Sequence, residues 1–273
     1  MKPRAEPWLV NGALIVIVLV TLFPLVWMVS VSVMAPGEAS TSPPPVLPAS
    51  PSLAAFRELF HRGTIARNVA NSVGLAVAAT VLSLAFNVTA GYAFAKLRFA
   101  GRDLVWKLLL GVMLIPGQVA MIPLFLMLKQ VGLVNSYAGV LIPGLANVFG
   151  IFLVRQYALS IPDELLEAAR IDGAGEWRIF WSIVLPVLRP ILVTLAIFAF
   201  LASWNDFLWP LIVLADDSRQ TLPVAIAALS REHAGDNELM MAGAVVTILP
   251  VLAVVLALQR YYIQGLLSGS VKG

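Results

Sequence analysis

The residues between Ser160 and Pro186 are the most specific in type and spacing. Glu167-Ala168-Ala169 is followed after three residues by Gly173, with Asp172 before it, and after nine more by Ile183, one residue, and Leu185-Pro186. One acid beside two methyl side chains is no nucleophile, base or metal set. Ser160, Pro162 and Asp163 read as a capped helix start, and acids there suit the helix dipole. Gly173 reads as its stop, where glycine takes the left-handed conformation. A second stretch from Glu176 carries Trp177, Phe180, Trp181 and Val184 at the spacing of one apolar helix stripe. Its aromatic side chains are of the types enriched at interfaces. The segment therefore reads as a helix–turn–helix knuckle offered to a partner.

A second set lies inside apolar runs: Asn87, Thr89, Gln118, Asn147, Asn205 and Asp206. Neutral amides both donate and accept, which suits a solute rich in hydroxyls, although such groups also join helices to one another. Classical catalysis finds no support. There is no cysteine, His61 and His233 stand in separate polar stretches, and no His, carboxylate or Ser–base set converges at one depth. No phosphate-binding Gly-x-x-x-x-Gly-Lys-Ser/Thr sequence occurs.

The elements that hold these residues are membrane spans. Of 273 residues, 60% are hydrophobic and 12% charged, with a mean hydropathy of +0.90; soluble domains carry roughly 25% charge. A spanning helix needs about 20 apolar residues. Six runs qualify, at residues 9–34, 69–95, 104–128, 137–157, 187–214 and 239–262. The fourth is interrupted by Pro143, Gly144 and Asn147, and kinks are expected at Pro116-Gly117, Pro123, Pro143-Gly144 and Pro250. The first run is too long for a signal peptide core of about 7–15 residues. The fold class is all-α, a polytopic membrane protein.

The net charge of +3 reflects orientation and not nucleic acid, since no basic stripe or aromatic platform accompanies it. With the N-terminus inside, the inner gaps hold Lys2, Arg4, Lys96, Arg98, Arg102, Lys107, Arg155, Arg170, Arg178, Arg189, Arg260 and Lys272. These are twelve of the 18 basic residues, so both termini are expected in the cytoplasm. Residues 1–8 and 263–273 then form cytoplasmic ends, 158–186 the longest inner loop, and 35–68 an outer loop. That outer loop is proline-rich, with a short amphipathic helix from Ser52 to Phe60. A second outer loop, 215–238, is acidic. Asn205 and Asp206 fall roughly 25 Å from the inner end of the fifth run at 1.5 Å per residue, a depth suited to an outer gate or loop.

The inner loop resembles the signature loop of bacterial ABC importer permeases. Ser203-Trp204-Asn205-Asp206-Phe207 and the tail from Gln259-Arg260-Tyr261 to Val271-Lys272-Gly273 are similar to the shorter, six-span subunit of the maltose-type carbohydrate family. One departure is Ser270, where that family leads one to expect alanine. The resemblance implies the type I importer permease fold. It implies a pathway shared with a second permease, an ATPase dimer that binds ATP and magnesium, and an extracytoplasmic solute-binding protein. No cofactor is expected in this chain. Carried over, Glu167, Ala168, Ala169, Asp172, Gly173, Trp177, Phe180, Leu185 and Pro186 would form the ATPase-coupling loop. Asn87, Gln118, Asn147 and Asn205 would be the candidates for the solute pathway, and the substrate would be a sugar, oligosaccharide or polyol. The tail after Tyr262 would either reach the ATPase dimer or fray. The competing reading is a stand-alone secondary transporter, which would want intramembrane ionisable groups; Asp206 alone is available.

Overall fold

The computed structural model describes residues 7–61, 64–233 and 235–270. Among them every regular element is helical. Helix α1 (Pro7–Ser32) is exposed on all faces from Val10 to Pro24, the pattern of a helix solvated by lipid. Helix α2 (Ala54–His61) is short and buries Ala55 and Leu59. Helix α3 (Ile65–Lys96) is continuous over 32 residues. Helices α4 (Arg102–Val112) and α5 (Met121–Gln130) follow, joined by a 3-10 turn over Gly117–Ala120. Helix α6 (Tyr137–Leu141) and its 3-10 extension Ile142–Gly144 lead into α7 (Val148–Ala158).

The segment 159–184 supplies α8 (Asp163–Ile171) and α9 (Glu176–Ile179). A π-helical turn, Phe180–Val184, runs from α9 straight into α10 (Leu185–Trp204). Then come α11 (Leu208–Val213), α12 (Leu222–Glu232) and α13 (Asn237–Ser270). Among the described residues four helices are long and apolar enough to cross a membrane, and each of two bent pairs makes one more if it is a single span.

Several expected boundaries differ. The run 104–128 is not one helix: α4 and the stretch from Gly117 through α5 meet at 96°, because Pro116 lacks an N–H and cannot continue α4. The run 137–157 bends by 42° between Gly144 and Val148, at the proline, glycine and asparagine noted above. The run 187–214 stops at Trp204 and resumes as α11. The acidic stretch 215–238 contains α12. The segment after Tyr262 remains helical to Ser270, while 1–6 and 271–273 lie outside the described residues.

The chain divides into two compact units, residues up to 66 with 222–250, and 67–221 with the residues after 250. In the first, Glu38 accepts the Ala35 and Ala49 amides at 2.9 and 2.6 Å, and Glu238 accepts the Ala39 amide at 2.8 Å. These bonds fix the proline-rich loop, which has no ladder of its own to satisfy its backbone. Met34, Leu59, Leu222 and Leu239 are fully buried there.

In the second unit, Val88 and Tyr92 of α3, Val154 and Ala158 of α7, Leu166 of α8, and Phe180, Val184 and Leu188 form one core. Helices α3 and α7 cross so closely that a Cβ at Gly91 would lie 2.6 Å from Val154 Cβ. The segment 159–184 is thus bolted to two spans by packing. A smaller core joins Leu128 to Trp209, Val213 and Leu214, and the Trp209 indole donates to Gly139 O at 3.2 Å.

Candidate functional site

The knuckle is built from α8, its glycine turn and α9. Pro162, extended at ψ 135°, precedes α8 and offers no side-chain cap. The expected Ser160 cap is absent: its hydroxyl donates back to Tyr157 O at 2.7 Å. Asp163 instead receives the Lys96 ammonium at 2.6 Å, and Lys96 also donates to Ile161 O. Hydrogen bonding from Lys96, then its charge, holds the Asp163 carboxyl below the usual carboxylate range. The last residue of α3 is therefore tied to the first of α8.

Helix α8 buries Leu166 and ends in a left-handed turn at Gly173, φ +81°. The Gly173 and Ala174 amides close onto Arg170 O and Ala169 O, both at 3.0 Å, satisfying carbonyls that the helix end leaves open. Arg170 bridges the turn: its Nε donates to Glu176 Oε1 at 2.7 Å and its Nη2 to Oε2 at 3.4 Å. The Glu176 carboxylate hydrogen bond raises the Arg170 guanidinium further above its ordinary value. The Tyr92 hydroxyl of α3 donates to the same carboxylate at 3.4 Å.

This frame leaves Glu167, Ala168, Ile171, Asp172 and Gly173 exposed, with Ile171 at 86% and Trp177 at 72%. Ala169 is half-buried. The expected stripe divides. Phe180 and Val184 enter the core while Trp177 and Trp181 stay outside, because the stretch is no free helix but the start of the long α9–α10 run. Leu185 and Pro186 sit at the first turn of α10. No local signal in the sequence marks Lys96, Tyr92 or the Arg170–Glu176 bridge, since the Lys96–Asp163 contact joins residues 67 apart in the chain. Ile171 had one, an isoleucine two residues before the terminating glycine.

Of the four amides in the spans, the fold brings two together. Asn87 is buried; its Oδ1 accepts the Asn147 amide at 3.0 Å and its Nδ2 donates to Ser83 Oγ at 2.7 Å. Asn147 caps α7 by accepting the Gly150 amide at 3.2 Å. The pair pins the α6–α7 bend to α3. Gln118 is exposed in the α4–α5 turn, and Asn205 donates to its own helix at Leu201 O, 2.8 Å away. Neither of these joins the other two.

Beside Asn87 and Asn147 lies a cavity of about 310 Å³, walled by α3, the α6–α7 bend and α10–α11. Ser83, Ser203, Asp206 and Thr221 also line it. No group of acids and histidines suited to a metal occurs among the described residues.

Residues 87–268 match the family described as the binding-protein-dependent transport system inner membrane component. The chain belongs to that family. It is the permease subunit of an ABC importer, a membrane component and not the part that hydrolyses ATP. It is 37% identical to the "Arabinooligosaccharides transport system permease protein AraQ" of Halalkalibacterium halodurans, with both chains fully covered. It is 35% identical to the "Melibiose/raffinose/stachyose import permease protein MelC" of Bacillus subtilis, covering 92% of this chain and 91% of that one. It is 32% identical to the "sn-glycerol-3-phosphate transport system permease protein UgpE" of Yersinia pestis, over 93% and 94% of the two chains. Among solved structures, a chain of a bacterial ABC transporter involved in the import of the acidic polysaccharide alginate superposes with a TM-score of 0.84. Its identity is 26%, and the match covers 96% of this permease and all of that chain.

Proposed function

We propose that this permease carries an oligosaccharide or related polyol, paired with a second permease, and that its inner knuckle couples it to an ATPase dimer. The observation that carries the coupling is the exposed α8–Gly173 turn, held rigidly to α3 and to the start of α10 by Lys96, Tyr92 and the Arg170–Glu176 bridge. A force applied at Ile171 and Glu167 reaches two spanning helices without passing through a loose loop. Closure of the ATPase dimer would then move α3 and α10 together and alternate access to the pathway. Glu167 offers its charge to a basic residue of the ATPase, and Ala168 allows close approach. ATP and magnesium belong to that partner. Cargo reaches the outer side on a solute-binding protein, and both termini lie in the cytoplasm of a bacterial inner-membrane protein. The carbohydrate class is supported by the named sugar systems among the relatives.

Purification of the subunit from native membranes in mild detergent, followed by mass identification of co-eluting chains, tests the assembly. One ATPase and one second permease are expected; a self-sufficient chain that still transports would refute it. Uptake of radiolabelled oligosaccharide by proteoliposomes holding the whole complex tests the solute.

A further inference from the structure

Resting on the carbohydrate reading above, we infer that the α3–α7–α10 cavity is a solute subsite in this subunit that takes a neutral, polyhydroxylated unit and excludes anions through Asp206. The cavity, about 310 Å³, reaches the lower end of the range for small-molecule pockets, about 300–1,000 Å³. Its wall mixes the two surfaces that a sugar ring presents. The lining includes hydroxyl, amide and carboxylate groups from Ser83, Asn147, Ser203, Asp206 and Thr221. It also includes Phe149 and Phe198, whose rings meet at a centroid distance of 6.5 Å and a tilt of 54°. Aromatic faces receive the C–H side of a sugar ring, and the polar groups receive its hydroxyls.

Two of those polar groups, buried Thr221 and part-buried Asp206, are short of hydrogen-bond partners. The Thr221 hydroxyl, in a residue only 3% exposed, has no hydrogen-bond partner among the described residues. The Asp206 carboxylate takes one long bond, from the Trp209 amide at 3.4 Å, and no ion pair joins it to a described cation. A sugar with adjacent hydroxyls would donate to that carboxylate. Every other lining residue is uncharged, and none is lysine or arginine. An entering phosphate or uronate would therefore meet like charge with nothing in this wall to offset it. The sequence places Asp206 at the depth of an outer gate; its position in the cavity wall gives it a second role.

The test is equilibrium binding of radiolabelled probes to the purified whole importer without its binding protein, alongside uptake into proteoliposomes with it. The neutral probes are arabinotriose and raffinose; the anionic ones are sn-glycerol 3-phosphate and an alginate trisaccharide. Neutral probes should bind and anionic ones should bind at least about tenfold more weakly, the effect of one unfavourable charged contact. Asp206→Asn keeps an oxygen for the Trp209 amide. It should weaken neutral binding by about tenfold and narrow the gap to the anionic probes. Ala199→Leu narrows the cavity from α10 without touching Asp206 and should also weaken neutral binding in an assembled complex. Sugar uptake with both variants binding like the parent, or anions bound as tightly as neutral sugars, overturns the subsite alone. No uptake of any sugar by the parent overturns the carbohydrate reading as well.

Discussion

Gly173 stands at φ +81°, and a Cβ added there would meet nothing within 4 Å. The consequence of a substitution is therefore backbone strain without a steric clash. A left-handed conformation costs an ordinary L-residue about 1–2 kcal/mol, a factor of roughly 5–30 between the turn and its alternatives. A β-branched side chain suffers most, whereas asparagine tolerates the region. Gly173→Val should therefore open the turn, release the amides of Gly173 and Ala174 from Arg170 O and Ala169 O, and let Ile171 leave its position. Gly173→Asn should retain it. In proteoliposomes containing the whole complex, solute transported per ATP hydrolysed should fall about 5- to 30-fold in Gly173→Val and stay near the parent in Gly173→Asn. Equal loss in both would show that the site requires the absence of a side chain against the partner and not the left-handed turn. Full coupling in Gly173→Val would refute the turn's role altogether.

Glu167→Lys reverses an exposed charge on the knuckle and should weaken retention of the ATPase on gel filtration; an unchanged complex refutes the docking role. Asn87→Ala removes the partner of the part-buried Asn147 amide and of the buried Ser83 hydroxyl, which should cost about 1–3 kcal/mol; thermal unfolding in detergent should show it, and an unmoved midpoint would refute the pinning of the bend. The Lys96–Asp163 pair gives a pH dependence of known sign. Because the folded Asp163 carboxyl lies below the ordinary value of about 3.9, its contribution is complete above that value and is lost as pH falls through the folded one. Lys96→Met should remove this acid-side loss of α8 attachment, followed by limited proteolysis of the inner segment; identical acid profiles would contradict the pairing.

The sequence by itself determined the solvent and the presence of several helix-length apolar runs. Sixty per cent hydrophobic residues require lipid, and helix-length apolar runs separated by basic gaps follow from the cost of unpaired backbone in hydrocarbon. It also located the inner knuckle, because a glycine after an amphipathic run is a local signal. Local signals likewise marked where runs break, at Pro116 and Pro143, but not by how much: 96° at one and 42° at the other. A proline removes a hydrogen bond and crowds the carbonyl one turn earlier, and what packs beside it sets the angle. The same limit applied to side-chain roles. Asn87 and Asn147 read as alike with Gln118 and Asn205, yet only the first two meet, since their pairing depends on how α3 crosses α7. Lys96 looked like an ordinary basic span end until α8 placed Asp163 against it. Asp206 entered a cavity wall because α10 stops at Trp204 and turns into α11. Contacts between residues far apart in the chain arise from helix crossings, and those crossings are fixed by packing that no short stretch of sequence contains.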